Sequence, residues 1–209
     1  MPSPVYSAGT VGNTINAVPV AKGVTIAAFL DLSTAIQGQV NCEVVTGANP
    51  PTVGTAFSAY RAYAAGGAPP ITLTGAVTAN QASTTLAVSS TAGLHQNQLI
   101  ALVQAGGSKL GEIVKISAAV TGSPVSIAGG GTNSGTVNSY GSGDAVYLIG
   151  QTPVTGVTPS GPTGTWAANQ DYSAPMYLGT GQYVIAANNA DSAQSVTVSV
   201  TTDKVTGFA

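Results

Sequence analysis

The sequence predicts an all-β protein: a β-sandwich built from both chain ends, with a small β-barrel domain inserted between them. Three observations carry that expectation. Apolar residues recur with period two from end to end, and no segment sustains a 3.6-residue period, which is the pattern of strands with one buried face. Gly/Pro-rich stretches at 64–70 and 150–164 bracket a run of short, closely spaced strands, as linkers do. Outside that run each chain end supplies too few strands to bury a sheet face alone, but together they suffice for a sandwich.

Taken in order, the first strands are expected at 24–32, 39–45 and 57–63. In the second of these, Val40, Cys42 and Val44 alternate with polar residues, so the single cysteine reads as a small buried apolar side chain. The central run places strands near 85–89, 98–104, 111–117, 124–128 and 144–149. Residues 129–143, rich in Gly, Ser and Asn, read as an exposed, mobile loop. The stretch 150–164 carries three prolines and four glycines and is expected to hold no strand. The last strands fall at 182–187 and 195–201, where Val196, Val198 and Val200 face one way and Thr197, Ser199 and Thr201 the other. The domains so defined are 1–66 with 151–209, a discontinuous sandwich, and 67–150, the inserted barrel; loop tips tolerate such insertions.

Composition limits function. Charged residues make up 6% of the chain, against roughly 25% in an ordinary soluble domain. Mean hydropathy is +0.29, yet the longest apolar stretches, such as Val24 to Leu30, are far shorter than the roughly 20 residues of a spanning helix, so no membrane partner is expected. The N-terminus shows no basic region followed by an apolar one, so the chain does not look exported. The five basic residues Lys22, Arg61, Lys109, Lys115 and Lys204 are scattered, which argues against nucleic acid as a partner.

Chemistry has few carriers. His95 is the only histidine and lies in a polar turn before a strand, where solvation is the expected role. The seven acids, Asp31, Glu43, Glu112, Asp144, Asp171, Asp191 and Asp203, are dispersed, so neither a metal site nor a glycosidase pair can be singled out. No phosphate-cradling or nucleophile-elbow motif occurs. The expectation is a non-enzymatic chain with no cofactor and no metal. Its candidate interface residues are Trp166, Tyr172 and Tyr177, which cluster after the second linker, and Arg61, which sits between Tyr60 and Tyr63 in a strand with few charges. So little charge leaves sheet edges poorly protected, and such edges are safest when neighbouring subunits cover them.

One resemblance adds to this reading. Ser83-Thr-Thr-Leu-Ala-Val-Ser-Ser-Thr-Ala-Gly-Leu-His-Gln-Asn-Gln-Leu-Ile-Ala-Leu102, then Gly111-Glu-Ile-Val-Lys-Ile116, then Gly143-Asp-Ala-Val-Tyr-Leu-Ile149 resemble the small β-barrel modules of tailed-bacteriophage structural proteins. The likeness covers 83–149 and departs from the pattern at Gln96-Asn-Gln98, where those modules carry Gly-Asp. The segment from Tyr183 to Lys204 looks like the sandwich domains of phage capsid decoration, or cement, proteins. The resemblance implies a virion protein on the capsid surface, assembled in the host cytoplasm, that binds the major capsid protein and copies of itself and stabilises the head. Threefold symmetry would suit an icosahedral lattice, and monomer and dimer stay open. A tail, baseplate or fibre component fits the same features. A carbohydrate-binding or adhesion module using Trp166 is the alternative of another class.

Overall fold

The computed structural model describes residues 4–7, 15–63, 71–79, 85–105, 111–129, 136–161 and 164–208. Among them are strands and turns and no helix. The expected linker at 64–70 lies outside the described residues.

Two sheets hold the chain. The first contains β1 (Pro4–Ser7), β2 (Val18–Val20), β4 (Gln37–Thr46), β13 (Asp171–Gly179) and β15 (Val196–Phe208), with β4 between β15 and β13. The second, larger sheet contains β3 (Thr25–Asp31), β5 (Thr55–Tyr63), β12 (Thr155–Val157) and β14 (Gln182–Asn189) from the chain ends. It continues into β6 (Ile71–Thr72), β7 (Thr85–Leu86), β8 (Leu99–Val103), β9 (Gly111–Ile116), β10 (Val125–Ala128) and β11 (Ala145–Ile149) of the central run. All pairings are antiparallel.

The sandwich from both chain ends is present. Val40, Cys42, Val44, Met176, Leu178, Val196, Val198 and Val200 on the first sheet pack against Ile26, Ala28, Leu30, Phe57, Ala59, Tyr183, Ile185 and Ala187 on the second. The central run has its own core, including Leu73, Leu86, Val88, Ile100, Leu102, Val114, Ile116, Val125, Ile127 and Val146.

The barrel joins the two parts. Its ring runs β5–β14–β3–β9–β8–β11 and returns to β5, three strands from the chain ends and three from the central run. Its interior is a third apolar cluster of Ala27, Ala62, Ala101, Ile149 and Val184 with Phe29, Tyr60, Leu99, Ile113 and Tyr147. Each ring strand therefore contributes apolar residues to a core on both of its faces. In β3, Ile26, Ala28 and Leu30 point into the sandwich while Ala27 and Phe29 point into the ring, which is why this segment reads as a continuous apolar run.

The seams of the ring are short. β14 pairs with β3 and with β5 over seven positions each, whereas β3 meets β9 only at Ala27 and Gly111, and β5 meets β11 at Tyr63–Leu148 and Ala62–Ile149. Gly111 is where three strands crowd: a Cβ there would run into the carbonyl of Leu102. Inside, Phe29 of the sandwich stacks on Tyr147 of the central run with ring centroids 4.2 Å apart and planes 9° from parallel. Another stretch of the ring interior is not filled. A cavity of about 300 Å³ lies among Thr25, Ser58, Tyr60, Leu99, Ile113 and Asn188.

Two expectations are corrected. The stretch 150–164 does contain a strand, β12, which pairs with Phe57–Ala59 as the chain re-enters the sandwich. Its prolines lie at 153, 159 and 162, outside the three paired residues, so the ladder loses no donor there. The described part of the Gly-rich stretch 129–143 is exposed at Ser139 and at 141–143 but is anchored where a wholly exposed loop was expected: Thr136 and Tyr140 are buried, and Tyr140 bridges to Val77. The signal missed was the tyrosine, whose ring fills the core of the central run.

Candidate functional site

The acids come first, because any hydrolytic or metal-dependent chemistry would draw on them. Asp191, fully buried, receives five hydrogen bonds: Oδ2 accepts from the Thr52 N–H at 2.6 Å, the Thr52 hydroxyl at 3.0 Å and the Val53 N–H at 3.1 Å, and Oδ1 accepts from the Ala193 and Gln194 N–H groups at 2.7 Å each. The N–H groups of Ala193 and Gln194, followed by those of Val53 and Thr52, hold its carboxyl far below the usual range. Beside it, Asn189 donates to the carbonyls of Val20, Ala21 and Gln194 and accepts from the Asp191 N–H. Two side chains thus gather three loops at one end of the sandwich.

Glu112 does the same in the central run, accepting from the Val137 N–H at 2.9 Å and the Asn138 N–H at 3.1 Å. Burial outweighs these donors and pushes its carboxyl above the ordinary value. The Tyr140 hydroxyl lies beside both the Glu112 carboxyl and the Asn138 amide, and the Thr136 hydroxyl is buried without a partner among the described residues. Asp144 accepts from the Ala105 and Gly141 N–H groups at 2.8 Å each. For Asp31 burial pushes upward, but hydrogen bonds from Ser33 and Gln182 and the charge of Lys204 outweigh it and leave the carboxyl below its usual range. Four of the seven acids therefore serve as staples for backbone. Among the described residues no three His, Cys, Asp or Glu side chains gather as metal ligands.

The four candidate interface residues do not form one patch. Trp166 and Tyr172 meet edge to face with centroids 5.0 Å apart, and the Tyr172 hydroxyl accepts from the Ala167 N–H at 2.6 Å. The Trp166 ring lies against Gly54, where an added Cβ would sit 2.6 Å from it, and packs on the sandwich core. Tyr177, 59% exposed, stands on the opposite face of β13 from Tyr172, because five residues of strand separate them. Arg61 is distant from both in role. Its guanidinium lies 5.2 Å from the centre of the Tyr183 ring and donates to the Thr180 carbonyl and the Tyr183 hydroxyl, while that hydroxyl donates to the Gly179 carbonyl. Arg61 clamps the β13–β14 turn, and Gly181, at φ 144°, leaves room for it.

His95 lies in the expected polar turn before a strand, β8, but beside a groove that sequence reasoning did not foresee. The turn His95–Gln98 and the end of β11 form the walls of a groove of about 540 Å³, with Ile149 and Gly150 beneath and Tyr63 beside it. Asn97 turns the chain at φ 69°, its N–H donating to the Ile116 carbonyl. The Gln151 amide, oriented to satisfy both its atoms, donates to the Asn97 carbonyl at 3.1 Å and accepts from the Leu99 N–H at 3.0 Å. Gln151 and Tyr63 were legible only as residues flanking linkers; their approach depends on the β5–β11 seam.

No protein-family model matches the chain, and no curated protein or solved structure matches it. The functional reading therefore rests on the residues themselves.

Proposed function

We propose that the chain is a structural subunit of a bacteriophage virion, a decoration protein that seats on the outer capsid surface, contacts the major capsid protein and copies of itself, and stabilises the head. The observation that carries the reading is the use of the carboxylates: in a chain with 6% charged residues, Asp31, Glu112, Asp144 and Asp191 hold loops. What remains is a protein whose buried carboxylates build architecture around three apolar cores. A surface so poor in charge suits many small contacts in a lattice better than it suits a free monomer. The edge strand β13 carries Pro175, which removes one donor from its ladder and limits runaway pairing while leaving side-chain contacts available.

A subunit that binds the assembled lattice and not its dissociated parts stabilises it by mass action. The test is electron cryomicroscopy of the particles from which the chain is recovered. Copies arrayed over the head support the proposal. Density confined to a tail moves the chain to a tail, baseplate or fibre role, and a chain recovered only as a free, monodisperse monomer at high concentration overturns the assembly reading.

A further inference from the structure

We infer that the groove beside His95 is a binding site for a neutral saccharide. The Gln98 Oε1 atom is buried at the groove and accepts no hydrogen bond, although a buried acceptor is normally paired. Turned toward the groove by rotation of the Gln98 amide, it would accept from a ligand hydroxyl. Tyr63, at the end of β5, is 54% exposed and offers a ring face of the kind that packs on the C–H face of a sugar. The His95 imidazole and the Asn97 amide, both on exposed residues of the turn, add donors and acceptors.

The shape of the site is fixed before any ligand arrives. Gln151 ties the turn to Leu99, and the Gln96 amide donates to the Ser117 carbonyl at 3.4 Å. Among the described residues that line the groove there is no carboxylate, ammonium or guanidinium to pair with an ionic ligand. A wholly apolar ligand would leave the amides unpaired. An aromatic face, an apolar floor at Ile149 and several amide groups together match a molecule with one C–H face and a rim of hydroxyls. Trp166 does not compete for this role, because its ring is engaged with Gly54 and Tyr172.

This inference goes beyond the capsid reading and does not depend on it. The experiment is saturation-transfer NMR on the full chain with the methyl glycosides of glucose, galactose, mannose and N-acetylglucosamine at millimolar concentration. Transfer to at least one glycoside is expected. Tyr63→Ala should weaken that binding roughly tenfold. Gln98→Met, which removes the unpartnered acceptor at similar volume, should weaken binding while leaving the melting temperature unchanged or higher. No transfer from any of these glycosides overturns the inference, as does transfer that survives Tyr63→Ala, or a signal lost in Trp166→Phe and kept in Tyr63→Ala. None of these outcomes bears on where copies sit on a particle.

Discussion

The stacked pair Phe29 and Tyr147 tests whether the barrel makes one cooperative unit of the chain. Phe29 belongs to the sandwich and Tyr147 to the central run, and their rings lie 4.2 Å apart inside the ring of strands. Truncating a fully buried Phe to Ala costs about 3–5 kcal/mol, and since both side chains here are only partly buried, each single variant should lose about 2–3 kcal/mol. An offset aromatic pair contributes roughly 0.5–1.5 kcal/mol beyond area, so the double variant should lose about 1 kcal/mol less than the sum of the singles. The assay is equilibrium unfolding in urea, followed by far-ultraviolet circular dichroism and by fluorescence. Trp166 is the only tryptophan and packs on the sandwich core, so fluorescence reports that part alone. Tyr147→Ala should nevertheless shift the fluorescence transition. Additivity within about 0.3 kcal/mol, or a Trp166 transition that ignores Tyr147→Ala, would falsify the account of the ring as the joint.

Other substitutions probe the staples and turns. Gly181→Ala combines a positive φ with a Cβ driven into the Arg61 guanidinium, and should lower stability by about 1–3 kcal/mol, read as an earlier urea midpoint; an unchanged midpoint would remove Arg61 from its role as clamp. Asp191 is held below its ordinary 3.8, so its stabilisation is present above that value and is lost as pH falls through the lower folded-state value; the melting-temperature gap between the wild type and Asp191→Asn should shrink below pH 3.8, and a constant gap would contradict the geometry. Glu112 has the opposite sign. Its raised value means that its contribution is greatest below 4.5 and is lost as pH rises through the folded-state value, so the wild type should gain on Glu112→Gln on moving from neutral to mildly acidic solution. Burial raises the Cys42 thiol to about 12, so it should resist thiol reagents in the native protein and react once urea unfolds it; prompt native labelling would show the sandwich core to be open.

Much of the fold was legible because strands with one wet face declare themselves. In β4 and β15 the Val/Cys and Thr/Ser/Asn alternation places each residue on its observed face. β13 was harder. Its nine residues include Pro175 and the aromatics of an expected interface, and its alternation is weak at the start, where Asp171 and Ser173 face water and Tyr172 and Ala174 are only half covered. The ring closure could not be read at all, because a seam of one or two residue pairs leaves no periodic trace. The site was less legible than the fold. Dispersed acids gave no motif, and the staple role of Asp191 depends on Thr52 and Val53, 139 and 138 residues away. Turn chemistry offered one clue, since Asp191-Ser-Ala directly after a strand favours an Asp side chain that caps its own following N–H groups.

The discontinuous sandwich also sets an order of events as the chain is made. β4 lies between β15 and β13, and β3 pairs with β14, so each early strand waits for a neighbour translated more than a hundred residues later. Among the described residues the core of the central run is built from residues 71–148, and it can close while those partners are still unmade. Until β13 and then β15 emerge, Val40, Cys42 and Val44 have no strand of their own sheet beside them, and the nascent N-terminal third is the stretch most in need of protection from self-association.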